Sequence, residues 1–313
     1  MARTNTLQAP RSVVMIRPHK FYPNGETAAD NAYQKASSDD PAIIADYALQ
    51  EFDGAVATLR DRRVEVHVFD DDGSRDTPDS VFPNNWFSTH PGGQVALCPM
   101  FAKNRRRERR YDVIEFLKAQ YRVQDVIDYS GLEPDGLALE GTGAMVLDHI
   151  ARVALVVRSH LADPIALERF CTHFAYEPVV FSAVDPKGQD IYHTNVLMCV
   201  GTDFALIGTS LITNPVRRAE IVERLEETGR IVIDLAPEQI LAFVGNAIEL
   251  TGKDGRILAL SRTALNSLTE DQKARITPGA ASVALDVPTI ELAGGSARCM
   301  IAGVHIARRG ETV

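Results

Sequence analysis

I-E-L-A-G-G-S-A-R-C-M-I-A-G-V-H, residues 290–305, decides how this chain must fold. Residues 287–292 read as an apolar strand that runs into Gly294-Gly295, where the backbone is free to turn sharply. After Ser296-Ala297-Arg298-Cys299 comes a second apolar run, 300–306, with no neighbouring strand to pair with. Its partner lies at the far end of the chain. Ser12–Arg17 (S-V-V-M-I-R) is β-branched and stopped by Pro18, and it too is an orphan strand. Pairing the two closes the chain on itself.

The residues between them repeat one pattern. Strands at 81–88 and 94–99 flank Pro91-Gly92-Gly93, followed by a helix at 106–121 and a strand at 122–129. The same order returns at 143–147, 153–158, 164–174 and 178–183. It returns again at 195–200, 204–208, 215–228 and 230–235, and once more at 247–250, 257–260, 269–276 and 282–285. A helix at 41–62 and a strand at 64–69 follow the N-terminal strand, so the chain holds roughly five units at a period of about 50–60 residues. The expectation is one domain over 12–313, preceded by a polar tail at 1–11 without a signal-peptide core. Hairpins interrupt the βα alternation, which disfavours a doubly wound sheet, and no glycine-rich phosphate loop opens a helix.

Composition narrows the function. The formal net charge of -9 argues against a nucleic-acid surface, and the run Arg105-Arg106-Arg107-Glu108-Arg109-Arg110 reads as a solvated helix start. No apolar run approaches a membrane span. Cys98, Cys171, Cys199 and Cys299 are widely spaced, with no CxxC pair, so neither zinc nor a disulfide framework is expected and a reducing cytoplasm fits. His193 has no second histidine at ligand spacing, so no metal is assigned.

In each unit, polar residues stand where a core strand begins: Asn84-Asn85, Glu140, His193 with Asn195, Asn246 and Cys299. Units arranged about an axis bring equivalent positions to one pocket. A cysteine beside an arginine can be a low-pKa thiolate, an imidazole can move its proton, and a carboxylate can orient the substrate. Taken singly, each has a plainer reading: Cys299 as a buried hydrophobe, His193 as a strand-end histidine, the asparagines as turn formers.

Taken together, P-D-S-V-F-P-N-N (78–85), L-E-G-T-G (139–143), H-T-N (193–195), G-N-A-I-E-L (245–250) and G-G-S-A-R-C-M (294–300) resemble the guanidino-group-modifying enzymes of the pentein fold. That superfamily includes arginine deiminase, dimethylarginine hydrolase and the amidinotransferases. The resemblance implies an α/β propeller with five-fold pseudosymmetry, its ring closed by the N- and C-terminal strands, and no cofactor. It implies Cys299 as nucleophile, His193 as general acid/base and Glu140 as the carboxylate on the reacting nitrogens.

Asn85 and Asn195 stand where deiminases usually carry aspartates, and Gly143 stands where many relatives carry an aspartate for the substrate's amino end. Amides suit a neutral ureido group, since they donate to a carbonyl as well as accept from N–H. The set is therefore similar to the citrulline ureidase branch, with citrulline going to ornithine, carbon dioxide and ammonia. An arginine-type hydrolase or amidinotransferase, and a non-catalytic pentein binding protein, are the alternatives. Asp79 is a further substrate-binding candidate. Arg17 and Arg298 are candidates for the substrate carboxylate on charge alone. The partner expected is a small amino acid, with a homo-oligomer left open.

Overall fold

The protein is described by a computed structural model covering residues 7–29 and 31–310. Residues 1–6 of the expected tail and Asp30 lie outside the described residues. Five three-stranded sheets repeat one topology, in which the middle strand pairs antiparallel with one neighbour and parallel with the other. Strands β1 (Ser12–Arg17) and β2 (Glu65–Asp70) belong to the first sheet. The second holds β3 (Phe87–His90), β4 (Gln94–Leu97) and β5 (Asp125–Asp128). The third holds β6 (Met145–Asp148), β7 (Val153–Val157) and β8 (Glu177–Phe181). The fourth holds β9 (Met198–Val200), β10 (Phe204–Ile207) and β11 (Ile231–Asp234). The fifth holds β12 (Ile248–Gly252), β13 (Gly255–Ser261) and β14 (Ala281–Leu285).

Strand β15 (Ala302–Val304) returns to the first sheet, where Val14 faces Ala302 and Ser12 faces Val304. The two ends of the chain thus share one sheet, as the orphan strands required. The repeated unit gives a pentein arrangement, with β3, β6, β9, β12 and β15 innermost and β15 against β3, β6 against β9 and β9 against β12. Helices cover the outside. Pro41–Asp61 begins at an Asp40 cap and buries Ile44, Ala48, Phe52 and Leu59, one stripe at helical spacing. Residues 8–10 are packed rather than loose. Gln8 reaches between sheets, donating to the carbonyls of Leu147 and Val200 and accepting from the His149 N–H.

Three readings need correction. Residues 287–292 are not a strand; Ile290–Ala293 is a 3-10 turn ending at Gly294, whose φ of 77° needs a glycine. The strands expected to start at 81, 143 and 195 instead open with a single helical turn: Pro83–Asn85, Gly141–Ala144 and Thr194–Leu197. The helix expected at 106–121 is split into Arg105–Glu108 and Tyr111–Gln120 by extended backbone at Arg109 and Arg110. That break turns Arg109 onto Glu133, and Arg105 is only 5% exposed, so the basic run is not a solvated helix start.

Candidate active site

The single turns at the head of the inner strands build the site. A four-residue turn satisfies its own backbone, as Ala144 N does by donating to the Glu140 carbonyl, while aiming the residues before and within it at the axis. Each turn is also tied to the one before it. Thr142 Oγ1 donates to the Asn84 carbonyl (3.2 Å), and Thr194 Oγ1 donates to the Ala144 carbonyl (2.5 Å). Asn246 Nδ2 donates to the Asn195 carbonyl (3.1 Å), and the Arg298 N–H donates to the Asn246 side-chain oxygen (3.1 Å). Gly141 permits a close approach: its φ is 44°, and a Cβ there would stand 2.4 Å from the Asn84 carbonyl.

One pocket gathers Asp79, Asn85, Glu140, His193 and Cys299, with Phe82, Phe101 and Tyr192 among its walls. His193 Nε2 lies 3.0 Å from Glu140 Oε2. Glu140 also accepts from the Phe101 N–H (3.1 Å) and faces Arg105 at 3.5 Å. Burial alone would raise the Glu140 carboxyl, but the His193 hydrogen bond and the Arg105 charge outweigh it and hold it below the usual range. Burial lowers His193, with Glu140 opposing. An ionised Glu140 beside a neutral imidazole places the ring proton on Nε2, so Nδ1 carries the lone pair.

Cys299 lies at the end of the glycine turn, 4% exposed. Two amides address its sulfur: Asn195 Nδ2 at 3.3 Å and Asn246 Nδ2 at 3.2 Å. Asn195 therefore turns its amide N to the nucleophile, and its side-chain oxygen has no partner among the described residues. Asn85, in the amide orientation that satisfies both ends, accepts from the two Arg105 terminal nitrogens at 2.9 and 3.1 Å. Asp79 receives a hydrogen bond from Asn24 Nδ2 (2.7 Å) on one oxygen, and its other oxygen has no partner among the described residues. Burial raises the Asp79 carboxyl, with Arg105 opposing.

Arg105 joins this cluster. It forks onto Glu108 at 2.8 and 3.0 Å and faces Asp79 at 3.6 Å and Glu140 at 3.5 Å, so one guanidinium holds three buried acids. The sequence reading missed it because it sits among four other arginines. Asn246 stood out as a misplaced polar residue, and its contact with the sulfur gives it a place in the site.

Two sequence candidates lie elsewhere. Arg17 pairs with Asp53 on the surface at 2.7 and 2.8 Å. Arg298, although next to Cys299, points to the other side of its turn and lines a second cavity on the axis. The position that many relatives fill with an aspartate holds no room for one, since a Cβ on Gly143 would stand 2.3 Å from the Asn85 amide and 2.9 Å from His193 Nδ1.

Residues 21–29 and 31–35 cover the pocket. Glu26, Thr27 and Asn31 line it, Asn31 Nδ2 donates to the Ala293 carbonyl (2.9 Å), and Lys35 N donates to the Leu292 carbonyl (2.9 Å). No cluster of three or more potential metal ligands occurs among the described residues, and no described helix is long and apolar enough to cross a membrane.

The fold matches several solved structures. The substrate-bound N-terminal domain of ArgZ, an arginine dihydrolase of the ornithine-ammonia cycle in cyanobacteria, superposes with a TM-score of 0.71 at 16% identity, covering 93% of this chain and 96% of that one. AgrE with ornithine and NAD+ gives 0.72 at 17% identity, and there this chain spans only 39% of the longer protein. DDAH from Pseudomonas aeruginosa complexed with citrulline gives 0.62 at 12% identity, covering 94% and 99%. At these identities the likeness speaks for the fold. A comparison with curated protein sequences finds no match. A family model described as N,N dimethylarginine dimethylhydrolase, eukaryotic, matches residues 17–306. Since that match runs over nearly the whole chain, the chain belongs to the dimethylarginine dimethylhydrolase family of pentein guanidino-modifying enzymes.

Proposed function

We propose that the protein is a cysteine-dependent hydrolase whose substrate is the ureido group of citrulline, giving ornithine, carbon dioxide and ammonia. The observation that carries this reading is the pair of amides, Asn195 and Asn246, on the Cys299 sulfur, with a third amide, Asn85, on the pocket wall. Arg105 faces three acids there; burial raises Asp79, and Glu108 to about 8, so the guanidinium is set chiefly against the ionised Glu140. Such surroundings suit a neutral reacting group better than a guanidinium, whose charge needs its own counter-ion in a dry pocket.

The proposed chemistry runs in two halves. His193 Nδ1 takes the thiol proton, and the Cys299 sulfur attacks the ureido carbon. The carbon–nitrogen bond to the ornithine side chain breaks, and the imidazolium protonates the departing nitrogen. An S-carbamoyl enzyme remains. His193 then removes a proton from water as it attacks the same carbon; the sulfur leaves with that proton, and the carbamate released falls to carbon dioxide and ammonia. Glu140 orients the ring and stabilises its charged form.

One observation favours a guanidino substrate. The unpartnered Asp79 oxygen in the pocket wall is an acceptor suited to an N–H of arginine or a substituted arginine. The assay incubates purified protein separately with citrulline and with arginine, measures ornithine, citrulline and ammonia, and repeats both with Cys299→Ala. Ornithine from citrulline alone supports the ureidase. Citrulline accumulating from arginine makes it a deiminase, and ornithine from arginine without free citrulline makes it a dihydrolase.

A further inference from the structure

The second cavity lies on the axis, on the opposite side of the Cys299 turn from the pocket. Ser88, Thr89, His149, Cys199, Glu249, Arg298 and His305 are among the residues that enclose it. It leaves about 50 Å³ for the centres of water-sized guests, where one water needs roughly 10–15 Å³. The cavity is therefore roomier than a packing defect.

Its charge is not balanced from within. Arg298 makes one side-chain hydrogen bond, from its guanidinium to the Ile301 carbonyl (2.9 Å), and no ion pair among the described residues. The one acid in the wall, Glu249, is turned away and saturated. It accepts from Thr202 N (2.7 Å), Thr202 Oγ1 (2.6 Å) and Arg256 (2.9 Å). The imidazoles cannot help. His305 donates Nδ1–H to the Leu7 carbonyl (3.0 Å), and His149 is bonded to the Tyr176 hydroxyl (2.8 Å). Both are kept neutral, by burial first, with the Arg298 charge adding to it. A half-buried guanidinium facing a cavity without a counter-charge is costly, and a small anion reduces that cost.

We propose that the axial cavity binds one small univalent anion, of the size of nitrate or bicarbonate, against Arg298, and that this anion opposes ionisation of Cys299. The coupling is electrostatic. Arg298 is the cation next to the nucleophile, within reach of both Cys299 and Cys199. While its charge is free it favours the thiolate; once an anion neutralises it, that support is lost. Binding is reciprocal with thiol ionisation, so each disfavours the other. The inference does not depend on which substrate the pocket accepts.

The test uses iodoacetamide alkylation of the full-length protein across pH. Cys98, Cys171 and Cys199 are pushed up to about 12 by burial, and the label on Cys299 is read separately by peptide mass. Sodium nitrate and sodium bicarbonate are titrated against sodium gluconate at constant ionic strength, with Tm read alongside. Expected is a saturable rise in Tm with a several-fold slower alkylation near neutral pH. In Arg298→Gln, alkylation should already be slow and indifferent to nitrate. Cys199→Met fills the cavity while keeping the charge, and should abolish the nitrate effect with alkylation still fast; it serves if Arg298→Gln does not fold. No saturable effect on the wild-type chain, or an equal effect in Cys199→Met, overturns the proposal.

Discussion

A methyl group on Gly143 would meet both Asn85 and His193, so this glycine is required by crowding rather than by backbone conformation. Gly143→Ala should lower kcat roughly a hundredfold, since an ångström of misplacement costs about that much, and should lower Tm through an overpacking cost of about 1–3 kcal/mol; kinetics beside thermal denaturation checks both. Arg105 and Arg17 make a contrasting pair. Arg105→Gln leaves Asp79, Glu108 and Glu140 buried around an empty charge, and should cost about 3–5 kcal/mol in urea denaturation. Arg17→Ala removes a pair whose side chains are 37% and 51% exposed, and should cost under about 1 kcal/mol and leave KM unchanged. Cys299, His193 and Glu140 were legible in the sequence because each interrupts an apolar context. Arg105 was hidden among like charges, where nothing in the spacing says which one folds inward.

The elements that carry the site are turns of three or four residues, each leading within a residue into an inner strand. The strands could be read from their β-branched residues, and the long helices from their apolar stripes. The turns could not, because one turn of helix is too short to show a period. Their function lies in the hydrogen bonds between successive turns. Thr194 is the clearest link, since its hydroxyl donates to Ala144 and accepts from the Val157 N–H at 2.8 Å. Thr194→Val keeps the shape and removes both bonds. It should cost about 1–3 kcal/mol, the price of stranding buried backbone groups, and should lower kcat more than it raises KM, because His193 and Asn195 flank it. Urea titration and steady-state kinetics on the same preparation separate the two effects.

At the scale of the molecule, His90 and His149 lie buried with His305 half-buried beside them, linked through Tyr176 and a ring contact of 3.9 Å between His149 and His305. All three are lowered by burial, His305 from 6.5 to about 4. Between those pH values the unfolded chain binds more protons than the folded one, so stability falls as the pH falls from 6.5 toward 4. The His305 share is up to about 3 kcal/mol. Calorimetry should show Tm dropping over that interval, and dropping less in His305→Asn. The pairing of the chain ends was legible because two apolar runs lacked neighbours; the packing of Gln8 was not, since nothing local marks a glutamine that bonds to residues 139 and 192 positions away. The cover over the pocket has one more effect. Its ties to Leu292 and Ala293 fasten onto the residues just before the glycines that turn into Cys299. Displacing that segment would therefore also loosen the stretch that aims the sulfur, so what roofs the pocket also steadies its nucleophile.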